Sequence, residues 1–541
     1  MTLLAELRHV LRSLLRARGF SVAVILTLAL GIGANTAMFT LLRGTLLRPL
    51  PNRDGERLVY LRQSAPGAGQ ENVLFSVPEI VDYRDASRSL AGFAEYSQMT
   101  FTMQGEEEPV HVQAGVISGN YFAVMGLSPV LGRVTTARDD GPAAAPVAVL
   151  SHEFWMQRFG GDPTVVGRSI RINDQPLTII GVAQRAPPYP ARTDVFVNMV
   201  TSPHHLSATM VQGRTHRMTE VFARLAPDAT VEQARAEIGR IAGIVHADHP
   251  EAYEAASRFQ VTVAPLRLAL NERASLTLWL LMGAAAFVLL IACANVANLT
   301  LMRGVRRERE MLVRAALGSG RWRLRRLLLL ENLALTLAGG LLGVLVAFGS
   351  LELLIAFARQ LTTRADEIRM DGVVLAVSLA TRVAAAVVLA FAPPIGGEKA
   401  LAVAGRRSTV GRGGQRLQHA LVVAQLAVCV VLLTAGGLLV RTLASLQSVE
   451  TGVRSANVLT LEVPIEGTAI AESEKLTRYE RMRERIAALP GVEVAALGSN
   501  VPLRDTPFVL EVKAEGRALA SGEATPRAVY KTADPAYFRA A

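Results

Sequence analysis

Nine arginines crowd into residues 303–326: Arg303, Arg306, Arg307, Arg309, Arg314, Arg321, Arg323, Arg325 and Arg326. Within this stretch Glu308, Met311 and Ala315 are spaced as neighbours on a helix, and Glu310 and Arg314 form an i,i+4 pair of opposite charge. Gly318-Ser319-Gly320 ends that helix, and Arg321-Trp322-Arg323 begins another where tryptophan favours a membrane interface. Such a patterned helix offers no acid–base or nucleophilic chemistry; it is a rigid body that a partner can push. Elsewhere the residues give no catalytic set. No Gly-x-x-x-x-Gly-Lys-Ser/Thr loop is present to cradle nucleotide phosphates. His246-x-x-His249 has metal-like spacing without a carboxylate or third ligand and reads as solvated surface, while His204-His205 and His216 lie in the same soluble stretch. Glu106-Glu107-Glu108 reads as a solvated turn. Ser151-His152-Glu153 has the letters of a triad, but adjacent residues cannot face one another in one. We therefore expect no catalytic residue, no cofactor and no bound metal.

The elements around the arginines are apolar. Residues 276–302 carry no charge, more than the roughly 20 residues a helix needs to cross a ~30 Å hydrocarbon core, and 327–351 form a second run. Arginine excess in a short connection marks the cytoplasmic side, so 303–326 is expected to be a cytoplasmic hairpin tip. Residues 1–19, with Arg8, Arg12, Arg16 and Arg18, read as a basic cytoplasmic helix. The run at 20–42 is longer than the apolar core of a secretory signal and reads as a retained first span. A fourth span is expected at 373–391, interrupted by Arg382, and a fifth at 421–440. Between these two, 392–418 is rich in Gly and Arg and reads as a cytoplasmic loop. With the N-terminus inside, residues 48–273 and 442–541 both fall outside.

The soluble stretch 48–273 mixes alternating strands (RLVYLRQ, VHVQAGVIS, SIRINDQPLTIIGVA) with helices expected at 79–89, 120–125 and 230–246, and a Pro-rich loop at 186–192. No βαβ rhythm runs through it, which indicates an α+β domain of two lobes. The chain is thus a multi-pass α-helical membrane protein with extracytoplasmic α+β domains. Its mean hydropathy of +0.30 and 19% charged residues fit that class. The net charge of +11 lies largely beside the apolar runs, as topology requires, and does not point to nucleic acid. Cys293 and Cys429 both fall inside apolar runs and read as packing residues.

The layout of span, outer domain and spans begins again at residue 421. AGVISGNYFAVMG (114–126) is echoed by YKTADPAYFRAA (530–541): a strand, a polar turn, then Tyr-Phe opening a helix. We therefore expect 442–541 to be the start of a second outer domain, its remainder and further spans missing from this chain. The run from Ile291 through the arginines to Gly340 resembles the FtsX-like permease domain (276–395) of MacB-type ABC transporters. The family pattern of glutamate, apolar residue, arginine, alanine, leucine and glycine matches Glu310, Met311, Arg314, Ala316, Leu317 and Gly318, and its downstream residues match Glu331 and Gly339-Gly340. ALGIGANTAMFTLLRGTLLRPLP, ISGNYFAVMG and PVAVLSHEFWMQRFGGDPTVVGRSIRIN are similar to the first span and the MacB-like periplasmic core of the same family. The doubled layout is most similar to the duplicated orphan permeases of acidobacteria.

The resemblance implies an inner-membrane permease without its own ATPase. A separate ABC ATPase subunit would dock on the coupling segment, with Arg321 and Trp322 beside the motif, and drive the outer domain by mechanotransmission. A periplasmic adaptor or envelope protein is a possible further partner, beside the lipid bilayer itself. The alternative is a non-transporting receptor or regulator whose outer domain binds an envelope partner. Arg382 departs from the family, whose fourth span has small or apolar residues there; it is either paired inside the bundle or marks a degenerate span.

Overall fold

The structure is a computed structural model describing residues 3–104, 110–172, 175–306, 321–359, 362–391 and 412–449. Towards the C-terminus it describes 452, 457–461, 463, 471–499, 501, 508–512, 514–516 and 526–540. The chain divides into two compact units, Met1–Arg48 with Asn271–Val449, and Pro49–Leu270 with Glu450–Ala541.

The first unit is helical. A basic amphipathic helix, Leu3–Arg16, ends where the Ser21 hydroxyl donates to Leu14 O, and Arg18–Leu42 then starts as the first long apolar helix. Around it pack Glu272–Arg306, Arg321–Gly349 and Gly372–Phe391. Arg412–Gln447 lies against Glu272–Arg306, with Gln425 Nε2 donating to Asn295 Oδ1 at 2.9 Å. Among the described residues four apolar stretches are long enough to cross a membrane, Arg18–Leu47, Ala274–Thr300, Leu329–Gly349 and Gln425–Thr442, and Gly372–Val388 is a shorter apolar helix. Hydrocarbon supplies no hydrophobic drive between helices, so close backbone approach and internal hydrogen bonds must hold them. A Cβ on Gly33 would sit 2.9 Å from Gly343 O, and one on Gly343 would sit 2.7 Å from Ala29 O. Asn35 Nδ2 donates to Ala285 O at 2.6 Å, joining the first helix to the second.

In the outer unit, Phe508–Glu511 and Arg527–Tyr530 pair as a separate two-stranded antiparallel sheet, and Pro49–Leu270 is built on one mixed sheet. Its strands are β1 (Leu58–Ala65), β2 (Gln70–Val73), β3 (Leu90–Gln104), β4 (Val110–Ile117), β5 (Pro129–Gly132), β6 (Val147–Leu150), β7 (Ser169–Ile172), β8 (Gln175–Ala183), β9 (Val195–Asn198), β10 (Glu220–Leu225) and β11 (Gln260–Pro265). The order runs β11-β1-β10-β3-β4-β9-β6-β8-β5, with β2 on β1 and β7 bridging β3 and β8. Two lobes share this sheet through the long β3–β4 hairpin. On the first, helices Val77–Ala86 and Val231–Asp248 bury Ile80, Tyr83, Ile238 and Ile241 against Val59, Leu61 and Val221. On the second, Val112, Val116, Leu150, Ile179 and Val197 form a separate core with Phe154. Both lobe-one helices begin in capping boxes, Ser76 with Glu79 and Thr230 with Gln233.

The echo near the C-terminus is a shared hydrogen-bond pattern. Ser118 N donates to Glu95 O at 3.1 Å, Glu95 N donates back to Ser118 Oγ at 3.0 Å, and Tyr121 N donates to Ser118 O at 2.9 Å. Asp534 N donates to Leu497 O at 3.0 Å, Leu497 N to Asp534 Oδ2 at 3.1 Å, and Tyr537 N to Asp534 O at 3.1 Å. In each case Tyr-Phe opens a short helix, Tyr121–Met125 or Tyr537–Ala540. Upstream of the second motif lie the helix Glu472–Ala487 and an irregular 491–497, with one isolated bridge from Gly498 to Ala533.

Candidate functional site

Of the residues expected to receive a partner, Glu310, Met311, Arg314, Ala316, Leu317 and Gly318 lie outside the described residues. Arg321 and Trp322 are the first two residues of the helix Arg321–Gly349. The preceding helix, Glu272–Arg306, runs 35 residues, about 52 Å at 1.5 Å per residue, and carries Arg303 and Arg306 in its last turn. It is therefore longer than a hydrocarbon core and continues beyond it.

The other end of this unit holds a constellation that sequence reasoning passed over as a short link. The first long helix ends in a π turn, Arg43–Leu47, which leaves its last carbonyls without helical partners. Arg364, fully buried, fills that need: Nη1 donates to Thr45 O at 3.1 Å, and Nη2 to Arg48 O at 3.0 Å and to Glu367 Oε2 at 2.6 Å. A guanidinium suits this place because its planar fork reaches three acceptors and its charge complements a helix C-terminus. Arg48 Nη1 returns a bond to Glu367 O at 3.1 Å. Thr362 Oγ1 donates to Asn271 Oδ1 at 3.1 Å, tying in the residue that precedes the helix Glu272–Arg306.

Arg43 reaches across to Asp371, which also caps the next helix by accepting from Val373 N and Val374 N at 3.1 and 3.0 Å. Burial pushes the Asp371 carboxyl up, but the bonds from Val374 N–H and Arg43 outweigh it and hold it below the usual carboxylate range. Apolar packing closes the junction, with Leu41, Leu42, Ala274, Leu278 and Ile368 buried together. Gly44 is required here, since a Cβ would lie 2.8 Å from Ile368 Cα. Three helices and both chain passages into the outer unit, Arg48–Pro49 and Leu270–Asn271, thus share one polar knot. The available signal was the run RADEIRMD, with five charged residues between two apolar helices.

The MacB-like periplasmic core domain family matches residues 21–241, and the FtsX-like permease C-terminal family matches 282–395. The chain belongs to the FtsX/MacB-type ABC permeases. It is 26% identical over 253 residues to the macrolide export ATP-binding/permease protein MacB of Salmonella paratyphi A, a match covering 47% of this permease and 36% of that protein. It is 22% identical over 379 residues to the ABC transporter permease YknZ of Bacillus subtilis, covering 66% of this chain and 89% of that one. The periplasmic region of MacB from Actinobacillus actinomycetemcomitans aligns at 14% identity and a TM-score of 0.30, covering 41% of this chain and 91% of that one. The permease spans between 36% and 51% of the length of the MacB relatives it matches. It is a membrane protein with an extracytoplasmic domain.

Within that outer domain one cleft of the permease, lined by Tyr121, His152, Tyr189 and Phe196 among others, encloses about 70 Å³, small against the roughly 300–1,000 Å³ of ligand pockets. Ser151 is the N-cap of the helix His152–Phe159, accepting from Phe154 N, so the Ser-His-Glu run is structural. His246 is half-buried rather than fully solvated as its spacing suggested, its Nε2 covered. Its ring packs 4.2 Å from that of Tyr253, because the helix turns it onto the lobe-one core, while His249 pairs with Glu251. Burial holds His246 below the usual imidazole range. Beneath it Glu79, fully buried, accepts from Ser76 N, Gln63 Nε2 and Tyr253 Oη and meets Arg217 at 3.5 Å. These bonds anchor the lobe rather than form a reactive centre.

Proposed function

We propose that this chain is the permease subunit of an ABC-type efflux or envelope-remodelling system of the cell's inner membrane, working by mechanotransmission. A separate ATPase subunit docks on the cytoplasmic segment that includes Glu310, Met311, Arg314, Ala316, Leu317, Gly318, Arg321 and Trp322. Its nucleotide cycle shifts the helices on either side, and the junction around Arg364 passes that shift to both links of the outer domain together. The Arg364 knot is the observation that carries this reading. A loosely tethered receptor domain has no need of a buried cation fastening the end of the first long helix beside the starts of two others. The arginine-rich segment supports a cytoplasmic location at the opposite end by the positive-inside tendency. The shared motif of Ser118 and Asp534 supports residues 442–541 as the opening of a second outer domain. Phe122 is buried in the first copy, and its counterpart Phe538 is exposed.

The experiment is charge reversal at the coupling segment. The Glu310–Arg314 pair contributes only about 0.2–0.5 kcal/mol to its helix, so Arg314→Glu leaves membrane insertion intact. Like charges brought together at an interface cost several kcal/mol, so the ATPase is expected to be lost on co-purification. Full retention of the ATPase and of transport by Arg314→Glu refutes the docking assignment. Unchanged binding of an envelope protein, with no ATPase recovered from either form, would favour a receptor.

A further inference from the structure

We propose that His204 and His216 form a two-imidazole site for a divalent transition-metal cation, Cu2+ by the affinity order for nitrogen ligands, on the outer domain. The two Nε2 atoms stand 2.9 Å apart, with ring centroids 4.9 Å apart. His204 is exposed and His216 half-exposed, so the pair is open to solvent. Both are presented by ordered backbone in the segment between β9 and β10. Ser207 Oγ donates to His204 O at 2.7 Å and accepts from Met210 N at 3.3 Å, capping the helix Ala208–Gln212. His216 N donates to Gly213 O at 3.3 Å, and Arg214 pins the segment to Asp82 at 2.6 Å. Met210 is buried beneath.

Without metal, one Nε2–H donates to the other Nε2, which requires opposite tautomers in the two rings. A cation can replace that shared proton, since both nitrogens already converge. Two nitrogens about 2.0 Å from a metal lie about 2.8 Å apart at a right angle and about 3.3 Å apart at a tetrahedral angle. The observed separation is that of the metal-free N–H···N bond, close enough to both values that small ring rotations reach either arrangement. Among divalent first-row ions Cu2+ binds nitrogen ligands most tightly.

His205 is a neighbour but not a ligand here. It is buried, its Nδ1 bonds Ser202 Oγ at 2.9 Å, and its ring centroid is 6.0 Å from that of His204. No set of three His, Cys, Asp or Glu side chains is placed to hold a metal among the described residues, so water completes the coordination. Bound metal would tie residue 204 to residue 216 and close the intervening segment.

The test uses the full chain in detergent micelles, stripped with chelator and titrated with Cu2+ while calorimetry and electron paramagnetic resonance are recorded. One saturable equivalent with coupling to two imidazole nitrogens is expected. Loss of a supporting partner alone weakens metal sites 10–100-fold, so His204→Gln and His216→Gln should each cost about tenfold or more, and His249→Gln nothing. Retained affinity in both variants overturns the proposal. So does a spectrum from the unmutated chain showing amine or backbone-amide nitrogens instead of two imidazoles, a readout that does not depend on any variant folding.

Discussion

Replacing Arg364 with methionine tests the junction most directly. The side chain is wholly buried, so Arg364→Met keeps the volume of the stem and removes three donors at once. Thr45 O and Arg48 O then lose charged partners worth about 1.5–3 kcal/mol each, partly regained if water reaches them. Glu367 is left without its bond at 2.6 Å, although its 23% exposure lets solvent soften that loss. Breaking a buried charge pair from one side costs about 3–5 kcal/mol, and we expect the net effect in that range. Arg364→Lys keeps the charge but cannot span the carbonyls and the carboxylate together, and should cost about half as much.

The effect is local, so hydrogen–deuterium exchange of the full chain in detergent is the assay. Amide protection at residues 43–48 and 271–275 should fall, because Arg48 N–H to Arg43 O and Ser275 N–H to Asn271 O close turns held by this knot. Protection in β6 and β8 should not change. If exchange at 43–48 in Arg364→Met matches the unmutated chain, the knot does not hold the helix ends and the transmission argument fails.

Residues 49–270 expressed alone should unfold in a single cooperative transition, since a third core of Tyr60, Phe122, Val149, Ala183 and Phe222 joins the two lobes; a non-cooperative melt would contradict this. In that fragment Glu79→Ala should cost about 3–5 kcal/mol by denaturant titration, leaving Arg217 and Tyr253 facing an unfilled site. Gly343→Leu should halve or abolish folded membrane protein, judged by monodisperse yield, because the side chain would strike Ala29 O and Gly33. Asp139 is held below the usual carboxylate range chiefly by its bond to Arg133. A depressed folded pKa contributes stability above the unfolded value near 3.8 and loses it as pH falls through the folded one. The stability gap between the fragment and its Asp139→Asn variant should therefore be full, about 1 kcal/mol, near pH 6 and shrink steadily below 3.8. A gap independent of pH would refute it.

The outer strands and helices were legible because each rests on a local pattern. Alternation in RLVYLRQ marks β1, and the apolar spacing of Val231, Ala234, Ile238 and Ile241 marks a helix, although Ile244, spaced with them, is exposed and Val245 takes its place in the core. The apolar runs were legible for the same reason, through composition alone. The junction was not, because its logic is carried by main-chain acceptors. Thr45 O and Arg48 O are free acceptors because the helix stops at Leu47, and no side-chain letter records that. Likewise the His204–His216 pair joins residues 12 apart through a loop whose closure depends on Ser207 and Gly213.

Arg382 shows how the helical unit absorbs a residue that composition alone marks as costly. A mid-span arginine carries about 2.5–3.5 kcal/mol on insertion scales, so its neighbours must make room and offer acceptors. Gly340 makes the room: a Cβ there would lie 2.4 Å from Arg382 Cδ and Nε. Arg382 Nη2 donates to Ser378 Oγ at 3.0 Å, and Ser378 Oγ in turn meets Thr36 Oγ1 at 3.1 Å, linking the fourth apolar helix to the first. Of the two expectations, pairing inside the bundle is met only through the Ser378 hydroxyl, Nε being buried without an acceptor among the described residues, while Gly372–Phe391 is an unbroken helix packed on three others. The hydroxyls of Ser378 and Thr36 also bond within or between helices, so this polar track stays inside the protein where lipid could not satisfy it. A small residue on one helix thus permits a long cation on the next. That pairing, more than the hydropathy of either helix, explains why the arginine can stand there.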